Sequence, residues 1–474
     1  MTRGPTLPAA GAPQGGLRSL GADRPYAAGV TAAPAALLDA VRREVLAARA
    51  DLERLVRIAS ISADPAHRQD VEAACRAVAE LAGGAGATDV QVVEAGGMPA
   101  VIATWPAPAG MPTVLLYAHL DVQPTGPEEQ WSSPPFEPTE RDGRLYARGA
   151  ADDKAGVLMH LAVLRAFGGT PPVGVVLFVE GEEEIGSPSL TTLLEQHQDL
   201  LRSDVIVIAD SANAAVDVPA FTTSLRGLVD VTVEVRVLER PVHSGMFGGP
   251  VADALTCLCR LLATLHDESG DVAVAGLQVG TSGAPDLDED VFRGDAGILE
   301  GVQLIGTGSI PDRAWFRPAV SVLGMDVPRT AEAANVLLPR ARAKVSLRTA
   351  PGECSEQALA ALTAHLEAAA PWGSQVVVQP GSAGEPFSLE TTGAIYDLAR
   401  AAFRQAYGND VVEAGIGGSI PFIAEFARTY PGATVLVTGV GDPASRWHGI
   451  DESLHLGMWE KAVLAEALLL SQLA

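Results

Sequence analysis

Apolar residues along the chain change their spacing several times, and these changes divide the sequence into regions. Over residues 35–58 they recur at helical spacing, and a second helix is expected at 68–82. Short apolar runs then alternate with helical patterns, as in VLLYAHLDV (114–122), VGVVLFVE (173–180) and DVIVIAD (204–210). Strands that are apolar throughout are buried on both faces, so this alternation predicts an α/β fold with a mostly parallel sheet.

A different pattern begins near Ser224. In LVDVTVEVRV (228–237) valines alternate with mostly polar residues, which predicts a strand with one exposed face. The elements predicted after it are a helix at 250–267, strands at 319–325 and 341–348, a helix at 355–370 and a strand at 375–379. This β-α-β-β-α-β order is that of a ferredoxin-like unit.

The first pattern returns after Glu385, with a helix at 390–407, a strand at 434–440 and a terminal helix from Asp451 onward. The chain is therefore expected to contain one domain inserted into another. The boundaries predicted are a flexible Ala/Gly/Pro-rich tail at 1–34, an α/β domain at 35–223 and 385–474, and an inserted domain at 224–384.

Charge and composition narrow the class of protein. There are 33 Lys and Arg residues against 58 Asp and Glu residues, a formal net charge of -25, and such an acidic surface repels nucleic acid and anionic lipid. No apolar run reaches the ~18 residues that a membrane helix needs. The cysteines form no CxxC pair, which argues against a disulfide scaffold and favours a cytoplasmic protein. They are Cys75, Cys257, Cys259 and Cys354.

Residues of metal-ligating type cluster where the predicted α/β strands end, which is where open α/β sheets bind ligands. They are His119 and Asp121 after the first run, Glu182 and Glu183 after the second, Asp210 after the third, Asp152 at the start of a helix, and His448 in a loop near the C-terminus. Each alone has a structural explanation, such as a buried histidine, a helix N-cap or a solvated acidic loop. Together they form the mixed nitrogen and oxygen set that zinc accepts.

Several segments together resemble the di-zinc amidohydrolases that include carboxypeptidase G, aminoacylase and carnosinase-like dipeptidases. The similarity extends from about Ala35 to the end of the chain, and the details DVQP, PFEP and HSGMFGG are most similar to the dipeptidase branch. The segments are YAHLDVQP, RDGRLYARGAADDKAG, EGEEEIGS, HSGMFGG, SLRTAPG, GGSIP and WHGIDE.

The resemblance implies two Zn²⁺ ions per chain, with Co²⁺ or Mn²⁺ as substitutes. It implies that Asp152 bridges the ions, that His119 and Asp210 complete one site, and that Glu183 and His448 complete the other. Asp121 would orient the ring of His119. Glu182 would be the general base for a zinc-bridging water, whose pKa zinc lowers to roughly 7.

The resemblance also assigns substrate contacts. His243, in the inserted domain, would donate to the developing oxyanion across a homodimer, and Asn335 is a further candidate for substrate contact. The substrate carboxylate would be held by Arg348, Gly417, Gly418 and Ser419, since arginine suits bidentate carboxylate recognition.

The sequence therefore predicts a metal-dependent hydrolase of dipeptides or small peptides, in which the inserted domain is a lid that also joins the dimer. An N-acyl- or N-carbamoyl-amino-acid amidohydrolase would use the same zinc chemistry and stays open as an alternative. A peptide-binding protein without turnover would need a broken metal set, whereas every position is filled here. A dimerising structural module is the remaining alternative.

Overall fold

The computed structural model describes residues 35–282, 286–417 and 421–474. The predicted tail at 1–34 and the predicted substrate contacts Gly418 and Ser419 lie outside the described residues. Within the described ranges the helices are α1 (Ala35–Val56), α2 (Arg68–Gly84), α3 (Lys154–Ala166), α4 (Leu190–Gln196), α5 (Ser244–Phe247), α6 (Ala254–Ala263), α7 (Glu289–Asp295), α8 (Ser355–Ala368), α9 (Ala394–Tyr407), α10 (Pro421–Thr429) and α11 (Leu456–Leu473).

The strands form five sheets within the described residues, two of them large. In chain order the strands are β1 (Asp89–Val93), β2 (Ala100–Trp105), β3 (Thr113–His119), β4 (Thr139–Arg141), β5 (Arg144–Tyr146), β6 (Gly174–Glu180), β7 (Val205–Ile208), β8 (Ala220–Leu225), β9 (Gly227–Arg236), β10 (Val242–His243), β11 (Ala319–Asp326), β12 (Val336–Leu337), β13 (Arg340–Thr349), β14 (Gln375–Gly384), β15 (Phe387–Ser388), β16 (Val412–Ile416), β17 (Thr434–Val437) and β18 (Ser453–His455).

The central sheet has six strands in the order β1-β2-β6-β3-β7-β17. Strand β3 pairs in parallel with both β6 and β7, and β17 pairs in parallel with β7. Strand β2 is antiparallel to β6 and to β1. The prediction of an α/β fold with a mostly parallel sheet is confirmed.

Helices cover both faces of this sheet, which explains why its strands are apolar throughout. One face packs against α1, α2, α3, α9 and α11, and the other packs against α4 and α10. In β3, Leu116 points to the first face, whereas Leu115 and Tyr117 point to the second. Because both faces are dry, functional groups are left to the ends of the strands, where the loops emerge.

The second large sheet has four antiparallel strands in the order β11-β13-β9-β14. The valines of β9 pack with α6 and α8 into a separate apolar core. Along the chain the elements follow the order β9-α6-β11-β13-α8-β14, which is the β-α-β-β-α-β order that the sequence pattern predicts. The face opposite the helices carries Asp230 and Glu234, which pair with basic residues of β13.

The small sheets include one that matters for the site. Strands β18, β5 and β4 pair antiparallel, which brings the segment before Asp152 beside the segment after His448. Among the described helices, none is both long and apolar enough to cross a membrane. All four cysteines lie in the described ranges, and each is a free thiol.

Candidate metal centre

The parallel strands bring the predicted ligand residues to one edge of the central sheet. Because β3, β6, β7 and β17 run the same way, the loops that follow them meet at that edge. The residues placed there are His119 at the end of β3, Glu183 and Glu184 after β6, Asp210 after β7, His448 in the loop after β17, and Asp152 just before α3.

Two groups of donor atoms form at this edge, and Asp152 belongs to both. In the first group, His119 Nε2 lies 3.1 Å from Asp152 Oδ1 and 4.0 Å from Asp210 Oδ1. In the second group, His448 Nε2 lies 3.1 Å from Asp152 Oδ2 and 3.2 Å from Glu184 Oε2. Each oxygen of the Asp152 carboxylate therefore faces a different group.

These distances fit coordination of divalent cations. Tetrahedral ligands at bond lengths of about 2.1 Å lie roughly 3.4 Å apart, and the donor atoms named above are 3.1 to 4.0 Å apart. The mixture of imidazole nitrogen and carboxylate oxygen suits zinc and similar transition metals. The residues present can thus hold two ions that share one bridging carboxylate.

The electrostatics of the site also favour bound cations. Burial, together with repulsion from Asp152, raises the pKa of Asp210 to about 7. Burial and the charge of Asp210 raise the pKa of Glu183 well above its ordinary value. Hydrogen bonds to Asp152 and Glu184 raise the pKa of His448 to about 10. Positive charge is therefore stabilised here, and divalent ions would relieve the repulsion among the carboxylates.

Asp121 is fully buried behind His119 and supports two parts of the site. The Nδ1 atom of His119 lies 3.1 Å from the backbone carbonyl oxygen of Asp121 and 3.5 Å from its carboxylate. The same carboxylate accepts hydrogen bonds from the backbone N–H groups of Glu183 and Glu184, each at 3.1 Å. Asp121 therefore fixes both the histidine ring and the turn that presents the glutamates.

Glu182 does not lie where the sequence-based assignment of a general base requires. Its carboxylate is buried and accepts hydrogen bonds from the backbone N–H groups of Met98 and Ser189, both at 2.7 Å, and from the Ser189 hydroxyl. These bonds join it to the loop before β2 and to the residue before α4, and Glu182 belongs to neither donor group. Because its carboxylate already accepts three hydrogen bonds, these contacts argue against Glu182 as the general base.

Glu183, which the sequence analysis assigns as a metal ligand, belongs to neither donor group. The next residue along the chain takes that place. Glu184, rather than Glu183, lies beside His448 and Asp152, and Gln123 Nε2 donates to its carboxylate at 2.7 Å. Glu183 Oε2 lies 4.0 Å from His119 Nε2, and among the described residues its carboxylate accepts no hydrogen bond. Sequence reasoning missed Glu184 and Gln123, although Glu184 belongs to the same run of three glutamates.

His243 and Asn335 lie close together between β9 and β13. Strands β10 and β12 pair His243 with Val336, and Ser244 N–H donates to the Asn335 carbonyl oxygen at 3.0 Å. The ring of His243 is exposed, and its Nδ1 accepts the Gly245 N–H at 3.0 Å. Nε2 is thus the donor atom of the neutral ring. Within the described part of the chain, neither residue bonds to the metal-centre residues.

Arg348 lies half-buried in β13, close to a second arginine that sequence reasoning missed. Arg226 Nε donates to the Gly417 carbonyl oxygen at 3.3 Å. Burial, together with the charge of Arg348, lowers the pKa of Arg226 to about 10. Neither guanidinium has an acidic partner among the described residues. The sequence feature that could have indicated Arg226 is its position in SLRG, directly before the alternating strand.

The fold and the two donor groups define a metal-dependent hydrolase of the α/β class. The chain belongs to the peptidase family M20/M25/M40, whose family model matches residues 115–472, and is a metallopeptidase of that family. This match confirms the resemblance inferred from the sequence motifs.

Individual relatives agree with this assignment. The chain is 38% identical over 364 residues to the cysteinylglycine-S-conjugate dipeptidase of Corynebacterium striatum, covering 75% of this chain and 80% of that protein. It is 30% identical over 362 residues to the beta-Ala-His dipeptidase of Rattus norvegicus, covering 73% of each. The crystal structure of human carnosine dipeptidase 1 superposes with a TM-score of 0.78 at 27% identity, covering 93% of this chain and 99% of that one.

Proposed function

We propose that the protein is a di-zinc dipeptidase that hydrolyses the amide bond of dipeptides bearing a free C-terminal carboxylate. The observation that carries the proposal is the pair of donor groups that share the Asp152 carboxylate. The relatives are named for dipeptides, a cysteinylglycine conjugate in one case and beta-Ala-His in another. Co²⁺ or Mn²⁺ would fit the same ligands.

The proposed ligand roles follow the donor groups. His119 and Asp210 would hold one ion, Glu184 and His448 would hold the other, and Asp152 belongs to both groups and would be shared by the two ions. Bound ions supply Lewis acidity to the substrate carbonyl and lower the pKa of the attacking water. Asp121 keeps the His119 ring in place through its carbonyl oxygen.

Glu183 is the proposed general base. Its carboxylate lies beside the first donor group without a hydrogen-bond donor among the described residues, so it is free to accept a proton from water. It then passes that proton to the leaving amine, which balances the hydrolysis. Burial, which raises the pKa of Glu183, also makes it a stronger base than an exposed glutamate.

The inserted segment supplies the proposed substrate contacts. Arg348 and Arg226 are two guanidiniums without acidic partners in the described ranges, and Arg226 contacts Gly417. An anionic carboxylate between them would relieve their repulsion. His243 would donate from Nε2 to the developing oxyanion of the partner subunit's substrate, with Asn335 beside it.

The lid at 224–384 is also the proposed dimer interface. Strand β11 lies at one edge of the four-stranded sheet, and its backbone is free to pair with another chain. Its apolar side chains are exposed: Val322 by 44%, Leu323 by 60% and Met325 by 38%. Two copies could join these edges about a two-fold axis. The cytoplasm is the proposed compartment, because the cysteine pattern suits a reducing environment.

Metal analysis and a substrate panel test this function. Wild-type protein should bind two zinc ions per chain, and Asp152→Ala should lose both, because each donor group then lacks a ligand. Wild-type enzyme should cleave dipeptides at least ~10-fold faster than N-acetyl- or N-carbamoyl-amino acids at equal concentration, since differential transition-state binding sets specificity. Two ions retained by Asp152→Ala would refute the bridge, and faster cleavage of the acylated substrates would refute the dipeptidase assignment.

A further inference from the structure

A buried ion pair lies directly behind the metal centre, outside both donor groups. Arg148 Nη1 donates to Glu452 Oε2 at 2.7 Å, and the two side chains are 2% and 0% exposed. The guanidinium of Arg148 also lies over the Trp131 ring, 5.5 Å from its centroid. The further hydrogen bonds of the two charged groups all join backbone atoms of loops that carry proposed metal ligands.

Glu452 holds the loop that presents the bridging ligand. Its Oε1 accepts the backbone N–H groups of Ala151 at 2.9 Å and Asp152 at 3.1 Å. Its Oε2 accepts the N–H of Gly149 at 3.0 Å in addition to the Arg148 guanidinium. One carboxylate thus binds three backbone donors within four residues, the last of them at Asp152 itself. These bonds fix the backbone at Asp152 and therefore the direction in which its side chain points.

Arg148 donates hydrogen bonds to two further loops. Its Nη2 donates to the carbonyl oxygen of Pro124 and to that of Gly449, both at 3.2 Å. Pro124 follows the segment of His119 and Asp121, and Gly449 follows His448 directly. The ion pair therefore joins the backbone of one ligand loop from each donor group to the loop of the shared bridge.

We infer that Arg148 and Glu452 are a positioning pair that sets the relative placement of the two metal sites. The inference rests on the proposed metal binding. A buried ion pair adds little to fold stability compared with apolar side chains of equal volume, so its specific effect is on geometry. Groups that orient metal ligands typically change metal affinity or activity by about 10- to 100-fold when they are replaced.

Glu452→Gln and a matched control test the inference. Glu466 is also a buried carboxylate, paired with His160 Nδ1 at 2.8 Å, and among the described residues it hydrogen-bonds to no proposed ligand loop. Zinc affinity is measured by chelator competition on purified protein, with circular dichroism to confirm folding. Glu452→Gln should bind zinc roughly 10- to 100-fold more weakly. Glu466→Gln should bind zinc like the wild type.

Arg148→Lys gives a second measurement and carries the test if Glu452→Gln does not fold. Lysine keeps the positive charge beside Glu452 but lacks the planar fork that reaches both carbonyl oxygens. Both metal sites should weaken, because Arg148 bonds to one ligand loop from each donor group, so zinc titration should show a lower affinity than the wild type. Zinc affinities equal to wild type in whichever variant folds, or an equal loss in Glu466→Gln, would overturn the inference. A wild-type protein that binds no zinc would instead refute the proposed function.

Discussion

At the scale of single residues, the three identical side chains of Glu182, Glu183 and Glu184 are proposed to have three different roles. Glu183→Gln should retain both metals and lose at least about 10²-fold in turnover, because general-base catalysis is removed. Glu184→Gln should lose or weaken one metal. Glu182→Gln should retain metals and turnover but unfold at a lower temperature, because its bonds to Met98 and Ser189 change.

Metal stoichiometry, kcat and thermal melting of the three variants separate these outcomes. Retained metals with lost turnover in Glu182→Gln, and an unaffected Glu183→Gln, would restore the assignment made from the sequence alone.

The same three residues show what the sequence could and could not predict about the site. The positions of His119, Asp152 and Asp210 at the sheet edge could be predicted because their residue types occur at strand or helix ends, whereas His448 lies in the loop after β17 and is indicated only together with them. The glutamates share one residue type, so only their contacts distinguish them. The carboxylate of Glu182 accepts a hydrogen bond from the backbone N–H of Met98, which is 84 positions away in the chain. Glu452 and Arg226 act through partners that no local pattern indicates.

At the scale of elements, periodicity predicted the strands and helices whose faces are wholly buried or regularly alternating. Strands β3, β6, β7 and β9 follow this rule. The sheet β15-β8-β16 was missed because β8 pairs with residues distant in the chain. Such pairing depends on tertiary contacts rather than on local pattern.

The end of β6 provides a pH-dependent test of stability. Glu180 is fully buried there, and burial raises its pKa to about 8, although the Tyr117 hydroxyl that donates to it at 2.7 Å acts in the opposite direction. The folded protein therefore holds a proton on Glu180 between its ordinary pKa and about 8. Stability from this group is present at low pH and is lost as the pH rises through about 8.

Glu180→Gln replaces the protonated carboxyl by a neutral amide of similar shape. The melting temperature of metal-free wild-type protein should fall more steeply from pH 6 to pH 8.5 than that of the metal-free variant, so their difference should shift in favour of the variant. Thermal melts in matched buffers measure this difference. A constant offset between the two proteins across this pH range would show that Glu180 is ionised throughout.

At the scale of the whole molecule, an acidic chain has two proposed sites of positive charge for substrate binding. One is the proposed pair of divalent ions, and the other is the arginine pair Arg226 and Arg348. With a net charge of -25, the remaining surface repels anions, so a substrate carboxylate is attracted at these places rather than over the surface. Among the described residues the exposed His243 makes no hydrogen bond to the metal-centre residues, so its proposed role in catalysis requires a second subunit.

Subunit mixing tests whether His243 acts across a dimer. His243→Ala and Glu183→Gln chains should each be nearly inactive alone. Once mixed and exchanged, they should regain up to about a quarter of wild-type activity, because half of the dimers are mixed and each mixed dimer has one intact site. Light scattering and mass measurement follow the exchange. Mixed dimers that form and remain inactive would exclude the role of His243 in the partner's site.

An edge variant tests the interface on which that mixing depends. Leu323→Lys places a charge on the free edge of β11 and should give inactive monomers that still bind two metals, because lysine at an edge opposes strand pairing. Leu299→Lys is the matched control, since Leu299 is also an exposed leucine of the inserted segment, 76% against 60% for Leu323. The control should remain dimeric and active. A Leu323→Lys monomer with full turnover would show that each chain completes its own active site, and His243 would then have no part in catalysis across subunits.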